Sequence, residues 1–357
     1  MIRLEPRGVP SRRLALAVPV AAALAALGLA ALPLALAGAP VLRAYAAMAE
    51  GALGSRFALS EVLTRATPLI LTGLAAAVAF RARLFNIGAE GQLYAGAIAA
   101  VAVGAGALDL PSFLLIPLVL AAGALAGAAM MLGPALARVT LGADEVVTTL
   151  LLNFVVLLLV QMMIEGPMKD PMSLGWPQSE PLVEAATLPR LVEKTRLHAG
   201  LLVALAAAGL MHGLLAYTVP GFAIRAVGDA APAARFAGLP VGLTLVGVGA
   251  LSGALAGLAG ASEVAGVKGF LAADLSPGYG YAGIVVAMLA GLSPLGTVAA
   301  ALFVAAVFVG ADSMSRAVNV SSYIANLIVA MSLISVLVAG VLTRYRVRFA
   351  PRPPARA

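Results

Sequence analysis

The chain contains no cysteine, a single tryptophan and two histidines in 357 residues. Without cysteine there is no disulfide and no thiolate chemistry, and the redox state of the compartment leaves no mark on the sequence. His198 and His212 alone are a poor basis for a metal centre, so no metal site is expected. Charge is also scarce: 11% of residues are Asp, Glu, Lys or Arg, against about 25% in an ordinary globular domain. A water-soluble fold could not cover its surface with so few charges. Lysine occurs only at Lys169, Lys194 and Lys268, and none ends a G-x-x-x-x-G-K-[ST] stretch. Nucleotide hydrolysis on a P-loop is therefore not expected of this chain. No serine, histidine or carboxylate constellation of hydrolytic type stands out, and no catalytic residue is assigned.

What fills the sequence instead is apolar. Hydrophobic residues make up 62% of it, and the mean hydropathy is +1.03. The apolar runs are about 15 to 25 residues long and rarely alternate, which suits helices crossing a hydrocarbon core of roughly 30 Å rather than barrel strands. In lipid every backbone N–H and C=O must be paired within the protein, which restricts spanning segments to helices or closed barrels. Spans are expected at residues 14–38, 63–80, 88–108, 112–133, 145–164, 198–217, 241–262, 279–292, 295–312 and 321–342. The expected fold is all-α: a polytopic membrane protein of about ten transmembrane helices, with irregular or re-entrant segments near the middle of the membrane. The spans 279–292 and 295–312 are short and joined by Ser293-Pro294, so they also read as one broken element, and the count runs from eight to ten.

The net charge of +7 is distributed as topology information rather than as a nucleic-acid surface. Arginines cluster at both ends, and no basic patch is interleaved with aromatics. The positive-inside rule places both termini in the cytoplasm, which requires an even number of spans. Residues 1–13 and 343–357 are then cytoplasmic tails around a single membrane domain, 14–342. The first apolar run ends in Leu36-Ala37-Gly38-Ala39, which resembles a signal-peptidase site. The run exceeds the usual 7–15 residues of a signal core, so an uncleaved first helix is expected. Gly249, Gly253 and Gly257 recur every four residues, as do Gly123 and Gly127. Such spacing lets helix backbones approach closely, either within the bundle or along a dimer seam, and packing within the bundle is the commoner use.

Four segments interrupt the apolar pattern. The first, Phe85-Asn86-Ile87-Gly88-Ala89-Glu90-Gly91-Gln92, packs two amides, a carboxylate and two glycines into eight residues. It reads equally as a surface loop or as a translocation site, since irregular polar backbone at depth is tolerated only where protein or a cavity surrounds it. In the second, Gly142 to Asn153, Asp144 is a natural helix N-cap, and Asn153 lies within the following span. Asn153 suits an interhelical hydrogen bond better than a ligand contact. In the third, residues 218–240, Gly228, Gly238 and Pro240 bracket a short basic helix with Asp229 as its N-cap, carrying Arg225 and Arg235 nearby. A rigid knob of this kind suits a motor that must push on the membrane domain, or serves as an ordinary connector. The fourth runs from Glu263 through Lys268 to Tyr279 and Tyr281, whose rings suit either a flat ligand or an interfacial aromatic belt, the belt being commoner.

Together, Phe85–Gln92, Gly142–Asn153, Arg225–Gly238 and Gly278–Gly283 resemble the permease subunits of bacterial ATP-binding-cassette importers, over roughly residues 60–342. The nearest group is the nucleoside and simple-sugar permeases, related to the ribose and branched-chain amino-acid permeases. The string Phe-Asn-Ile-Gly-x-Glu-Gly-Gln is the most specific element. The resemblance implies a multi-pass protein of the bacterial inner membrane. It implies that Arg225, Gly228, Asp229, Arg235 and Gly238 belong to an ATPase-coupling loop. It implies three kinds of partner: a cytoplasmic ATPase that hydrolyses ATP, a second permease subunit (a heterodimer being favoured, a homodimer allowed) and an extracytoplasmic solute-binding protein. This chain would bind no cofactor itself. Asn86, Glu90, Gln92, Asn153, Tyr279 and Tyr281 are the candidates for the substrate path, with a nucleoside, purine by preference, or a simple sugar as cargo. An ion-coupled secondary transporter using Glu90 as its membrane carboxylate is the alternative.

Overall fold

The computed structural model describes residues 2–6, 27–106 and 108–349. Each long apolar run within these residues is helical. The helices are α1 (Leu27–Leu36), α2 (Val41–Leu53), α3 (Arg56–Arg81), α4 (Ala89–Gly104), α5 (Ser112–Leu141), α6 (Glu145–Glu165), α7 (Gly200–Tyr217), α8 (Val219–Phe236), α9 (Val241–Glu263), α10 (Tyr279–Leu289), α11 (Pro294–Ala317) and α12 (Ser322–Arg344). Two short strands, β1 (Ile2–Pro6) and β2 (Tyr345–Phe349), complete the described elements. Among the described residues six helices, α3, α5, α6, α7, α9 and α11, are long and apolar enough to cross a bilayer, with a seventh if α1 and α2, bent by 120°, form one broken span. The expected span at 14–38 lies outside the described residues up to position 26.

The chain forms two compact units, one from residues 1–55 and 306–357 and one from residues 56–305. In the first, α1 turns into α2 through Gly38, which has a φ of 72°. Glycines then let α2 and the end of α11 meet closely: a Cβ at Gly51 would overlap Ser313, and one at Gly310 would press on the Met48 backbone. The strands β1 and β2 pair antiparallel, Ile2 opposite Phe349, so residues 2–6 form a ribbon rather than a free tail.

In the second unit α9 is central, packed against α3, α4 and α5. The glycine spacing explains how. A Cβ at Gly257 would overlap the Gly123 carbonyl, one at Gly253 the Gly127 carbonyl, and one at Gly96 the Gly257 carbonyl. The four-residue comb is thus used within this chain, with α4 and α5 both closing on Gly257. Lipid tails are as apolar as Leu, so helices there associate through such close contact and through hydrogen bonds rather than hydrophobic burial.

Residues 166–199 connect α6 to α7. They are strapped to the bundle by backbone bonds from Ser179 to Leu271 (2.9 Å), Leu182 to Gly269 (2.8 Å) and Leu188 to Ala265 (2.8 Å). Arg196 grips the Glu61 carboxylate through both Nε (3.0 Å) and Nη2. The strap covers a π-helical turn, Val264–Lys268, that ends α9 at Gly269 with φ 77°.

Candidate functional site

Between α3 and α4 the chain leaves helical geometry over residues 82–88. Ala82, Leu84, Asn86 and Gly88 are buried while Arg83 and Phe85 are exposed, and the polar groups of the interruption are satisfied from three sides. Asn86 Nδ2 donates to Gln92 Oε1 (2.8 Å) and to Ser252 Oγ (2.9 Å). Gln92 Nε2 donates back to Asn86 Oδ1 (2.9 Å), which also accepts from the Gly88 N–H (2.9 Å). Ser252 Oγ passes its own proton to the Ala75 carbonyl (2.7 Å), tying the pair to α3 and α9. Asn86 and Gln92 are at most 1% exposed.

The helix α6 supplies the second side. Glu145, Thr149 and Asn153 are four residues apart and so lie on one helical face. Glu145 Oε1 accepts from the Phe85 N–H (3.2 Å), and Thr149 Oγ1 accepts from the Ile87 N–H (3.2 Å). Asn153 Oδ1 accepts from the Gly91 N–H (2.9 Å), while its Nδ2 donates to the Ile87 carbonyl (3.0 Å) and the Tyr281 hydroxyl (3.2 Å). Arg138 at the end of α5 pairs with Glu145 at 3.3 Å. Asp144 caps α6 as expected, accepting from the Val146 N–H at 2.8 Å.

The third side is the start of α10. Glu90 Oε2 accepts from the Gly280 N–H (2.6 Å), and the carboxylate is also bonded to the Ser276 side chain. Tyr94 donates its hydroxyl to the Ala273 carbonyl (2.7 Å) and accepts from the Ser276 N–H (3.1 Å). Thr72 Oγ1 donates to the Tyr279 carbonyl (3.0 Å). A Cβ at Gly280 would overlap the Glu90 backbone, so glycine is what allows the first turns of α4 and α10 to touch. Glu90 stands in the first turn of α4 and bonds the first turn of α10. One carboxylate thereby answers the partial positive charge of two helix N-termini.

All six residues expected on a substrate path therefore meet in one polar node. Only Tyr281 presents substantial surface, at 40% exposure. Asn86, Glu90, Gln92, Asn153 and Tyr279 sit behind it. Sequence reading missed Glu145, Thr149, Ser252, Tyr94 and Ser276. The four-residue spacing from Glu145 to Asn153 was the available signal for the first two.

α8 starts at once after α7, with Thr218 as its N-cap, and is two helices joined at a kink, Ala230 (φ −156°, ψ 88°); the second, ending at Phe236, is the short helix expected between Gly228 and Gly238. Asp229 is an exposed residue before that kink rather than a helix cap. Pro232 explains the break, since its ring blocks the helical bond to the preceding turn. Gly238, at φ 82°, ends the helix with its N–H bonded to the Arg235 carbonyl (3.0 Å). Arg235 is exposed and Arg225 half-buried. Gly228 is buried, and a Cβ there would overlap the Arg81 carbonyl at the end of α3. An apolar hollow of about 450 Å³ opens between α7, α8 and α9, lined by Leu214, Val219, Ala223 and Leu243 among others.

Long apolar helices packed around a hydrogen-bonded polar break are those of a multi-pass integral membrane protein. Comparison with known proteins narrows this. Residues 58–337 match the family described as branched-chain amino acid transport system / permease component, and the chain belongs to it. It is 38% identical to a glucose ABC transporter permease protein of Haloferax volcanii, over 98% of this chain and 94% of that one. It is 34% identical to a guanosine ABC transporter permease protein of Bacillus subtilis, over 94% and 95%, and 34% identical to a nucleoside ABC transporter permease protein of Lactococcus lactis, over 74% and 75%. No solved structure matches the chain.

Proposed function

We propose that the chain lines the translocation path of an ABC importer for a nucleoside or a simple sugar. A separate cytoplasmic ATPase drives it, an extracytoplasmic binding protein delivers its cargo, and a second permease subunit completes the path. The relatives named for guanosine, nucleoside and glucose transport support this cargo range. A ten-span arrangement with both ends in the cytoplasm of a bacterial inner membrane fits the β1–β2 pairing, because paired ends lie on the same side.

The observation that carries the reading is the node at residues 85–92. Every amide group of Asn86 and Gln92 has a protein partner, so these side chains hold the path open rather than bind cargo. Tyr281 is the member of the set with free surface, and its ring offers a flat face to a base or a sugar. Asn153 orients it through the hydroxyl, while Glu90 and Tyr279 fix the start of its helix.

On the cytoplasmic side, the segment 222–238 docks the ATPase through Arg225, Asp229 and Arg235, with Gly238 turning the chain. Gly228 brings that segment against Arg81, four residues before Phe85, the first residue of the node. A push on α8 is thus delivered to the polar break through backbone contact.

The test is uptake of labelled guanosine and labelled glucose by proteoliposomes holding this chain with its ATPase, second permease and binding protein. ATP-dependent uptake of one cargo is expected, with Tyr281→Ala raising KM and Arg225→Glu/Arg235→Glu abolishing ATPase association. Uptake by this chain alone, without ATP, would overturn the reading in favour of ion coupling.

A further inference from the structure

The connection after α6 begins with a small hairpin whose tip is apolar and uncharged. Its stem is a bridge between Lys169 and Ser179. Its tip, Pro171-Met172-Ser173-Leu174-Gly175-Trp176-Pro177, carries no charge. Asp170, 8% exposed, organises the turn. Its Oδ1 accepts from the Met172 N–H (2.8 Å), its Oδ2 from Gln178 Nε2 (3.1 Å), and its carbonyl from Ser173 Oγ (2.8 Å). The Trp176 N–H closes the turn on the Ser173 carbonyl at 2.9 Å. The stem is bonded to the bundle at Leu271, whose N–H meets Ser179 Oγ at 2.8 Å.

This framework displays three large apolar side chains outward: Met172 at 84% exposure, Leu174 at 101% and Trp176 at 71%. Water is a poor solvent for all three, and the local hydrogen bonding holds them outward rather than letting them fold back. Where the hairpin sits decides what covers them. The stem begins four residues after Glu165, the last residue of α6. The Met168 N–H is still bonded to the Met163 carbonyl in its final turn (2.9 Å). Four extended residues reach at most about 14 Å, which keeps the stem close to the end of α6. The exposed apolar stripe of α6, which includes Leu151, Phe154, Leu158 and Met162, leads directly to it.

We propose that Met172, Leu174 and Trp176 insert into the lipid interface and anchor the α6–α7 connection to the membrane surface. Trp is amphipathic and favours the headgroup level, and flanking apolar side chains extend into the acyl region. The anchor holds the loop that straps the end of α9, so the strap is fixed at one edge by the bundle and at the other by lipid. This assignment depends only on the chain being membrane-embedded, not on its cargo or on which side the loop faces.

Trp176 is the only tryptophan of the chain, which makes it its own reporter. The full-length chain, with any subunits that co-purify, is placed in phosphatidylcholine vesicles with and without brominated acyl chains. The spectrum of the Trp176→Phe variant, prepared identically, is subtracted to isolate the Trp176 signal. A blue-shifted emission that loses most of its intensity in brominated lipid and resists aqueous iodide is expected. Leu174→Glu should shift that emission to the red and restore it in brominated lipid. Emission quenched by iodide and indifferent to brominated lipid overturns the anchor. Water-exposed emission that becomes shielded only when an extracytoplasmic binding protein is added also overturns it, and assigns the tip to a protein partner instead. Unchanged brominated-lipid quenching in Leu174→Glu would equally refute the insertion.

Discussion

Asn86 and Gln92 form a reciprocal amide pair: each donates its NH2 to the other's oxygen, at 2.8 and 2.9 Å, inside a predominantly apolar helix bundle. Six residues separate them in sequence, and the break at 82–88 folds one back on the other.

That reciprocity gives a non-additive mutational pattern. Gln92→Leu leaves the Asn86 amide facing an apolar neighbour, and an unpaired buried polar group costs about 1–3 kcal/mol. Asn86→Leu also orphans the Gly88 N–H and removes the donor to Ser252 Oγ, which keeps its bond to the Ala75 carbonyl. Thermal unfolding in detergent should show each single variant destabilised, with the Asn86→Leu/Gln92→Leu double variant losing less than the sum. Strict additivity would mean that the pair is not coupled.

The glycine node predicts sharp positional contrast. Gly257→Ala and Gly96→Ala place a methyl group on a neighbouring backbone carbonyl, and both should lower the yield of folded protein strongly. Gly133 and Gly209 have open space where a Cβ would stand. Alanine there should be neutral, or stabilising by up to about 1 kcal/mol from helix propensity. Size-exclusion profiles of the four variants separate the two groups.

The contact between Gly228 and Arg81 predicts an uncoupled transporter. Gly228→Val must displace α8 from the end of α3 while leaving the exposed Arg235 in place. The ATPase should still co-purify with this variant, yet ATP-driven uptake should fall by an order of magnitude or more. Wild-type uptake in Gly228→Val would remove this contact from the coupling route.

His198 lies just ahead of α7, fully buried, its ring packed over Gly200 and Gly266. Its Nδ1 accepts from the Gly200 N–H at 3.1 Å, and its Nε2 has no partner among the described residues. Burial lowers its pKa from 6.5 to about 4. Between these values the unfolded chain binds the proton and the folded one does not, so stability falls as pH falls from about 6.5 to 4. The scale is about 3 kcal/mol, from 1.36 kcal/mol per unit. Melting temperatures across that range should drop in the wild type and flatten in His198→Gln. A parallel drop in both would assign the acid sensitivity elsewhere.

The long helices were legible because lipid demands a simple pattern, and nine expected spans fall on the helices α3 to α7 and α9 to α12 within a turn or so at most ends, although α4, α10 and α12 are not among the six long and apolar enough to cross. The tight turn before α2 and the immediate start of α8 were not, because Val41–Leu53 and Val219–Phe236 are too short or too polar to read as spans. The unusual chemistry of Asn86, Glu90 and Gln92 was visible as a cluster, but its partners were not. Ser252 is one hydroxyl in a glycine-rich helix, and nothing local says that it faces Asn86. Glu145 looked like a favourable residue at a helix start, which it also is, and that local explanation concealed its bond to Phe85. Likewise the spacing of Gly253 and Gly257 signals a close approach without naming the helix that approaches.

The two ends of the chain belong to one compact unit, whereas residues 56–305 make up the other without interruption. Domains fold as units during synthesis, the N-terminal parts emerging first. For this chain the order is inverted in effect: the middle can be complete while the beginning still waits. The first 55 residues leave the ribosome earliest, but α2 cannot meet Ser313 until residue 313 has been made, nor β1 find β2 until residues 345–349 have. A ribosome that stalls between residues 305 and 345 therefore leaves a finished middle and a start without its full set of partners.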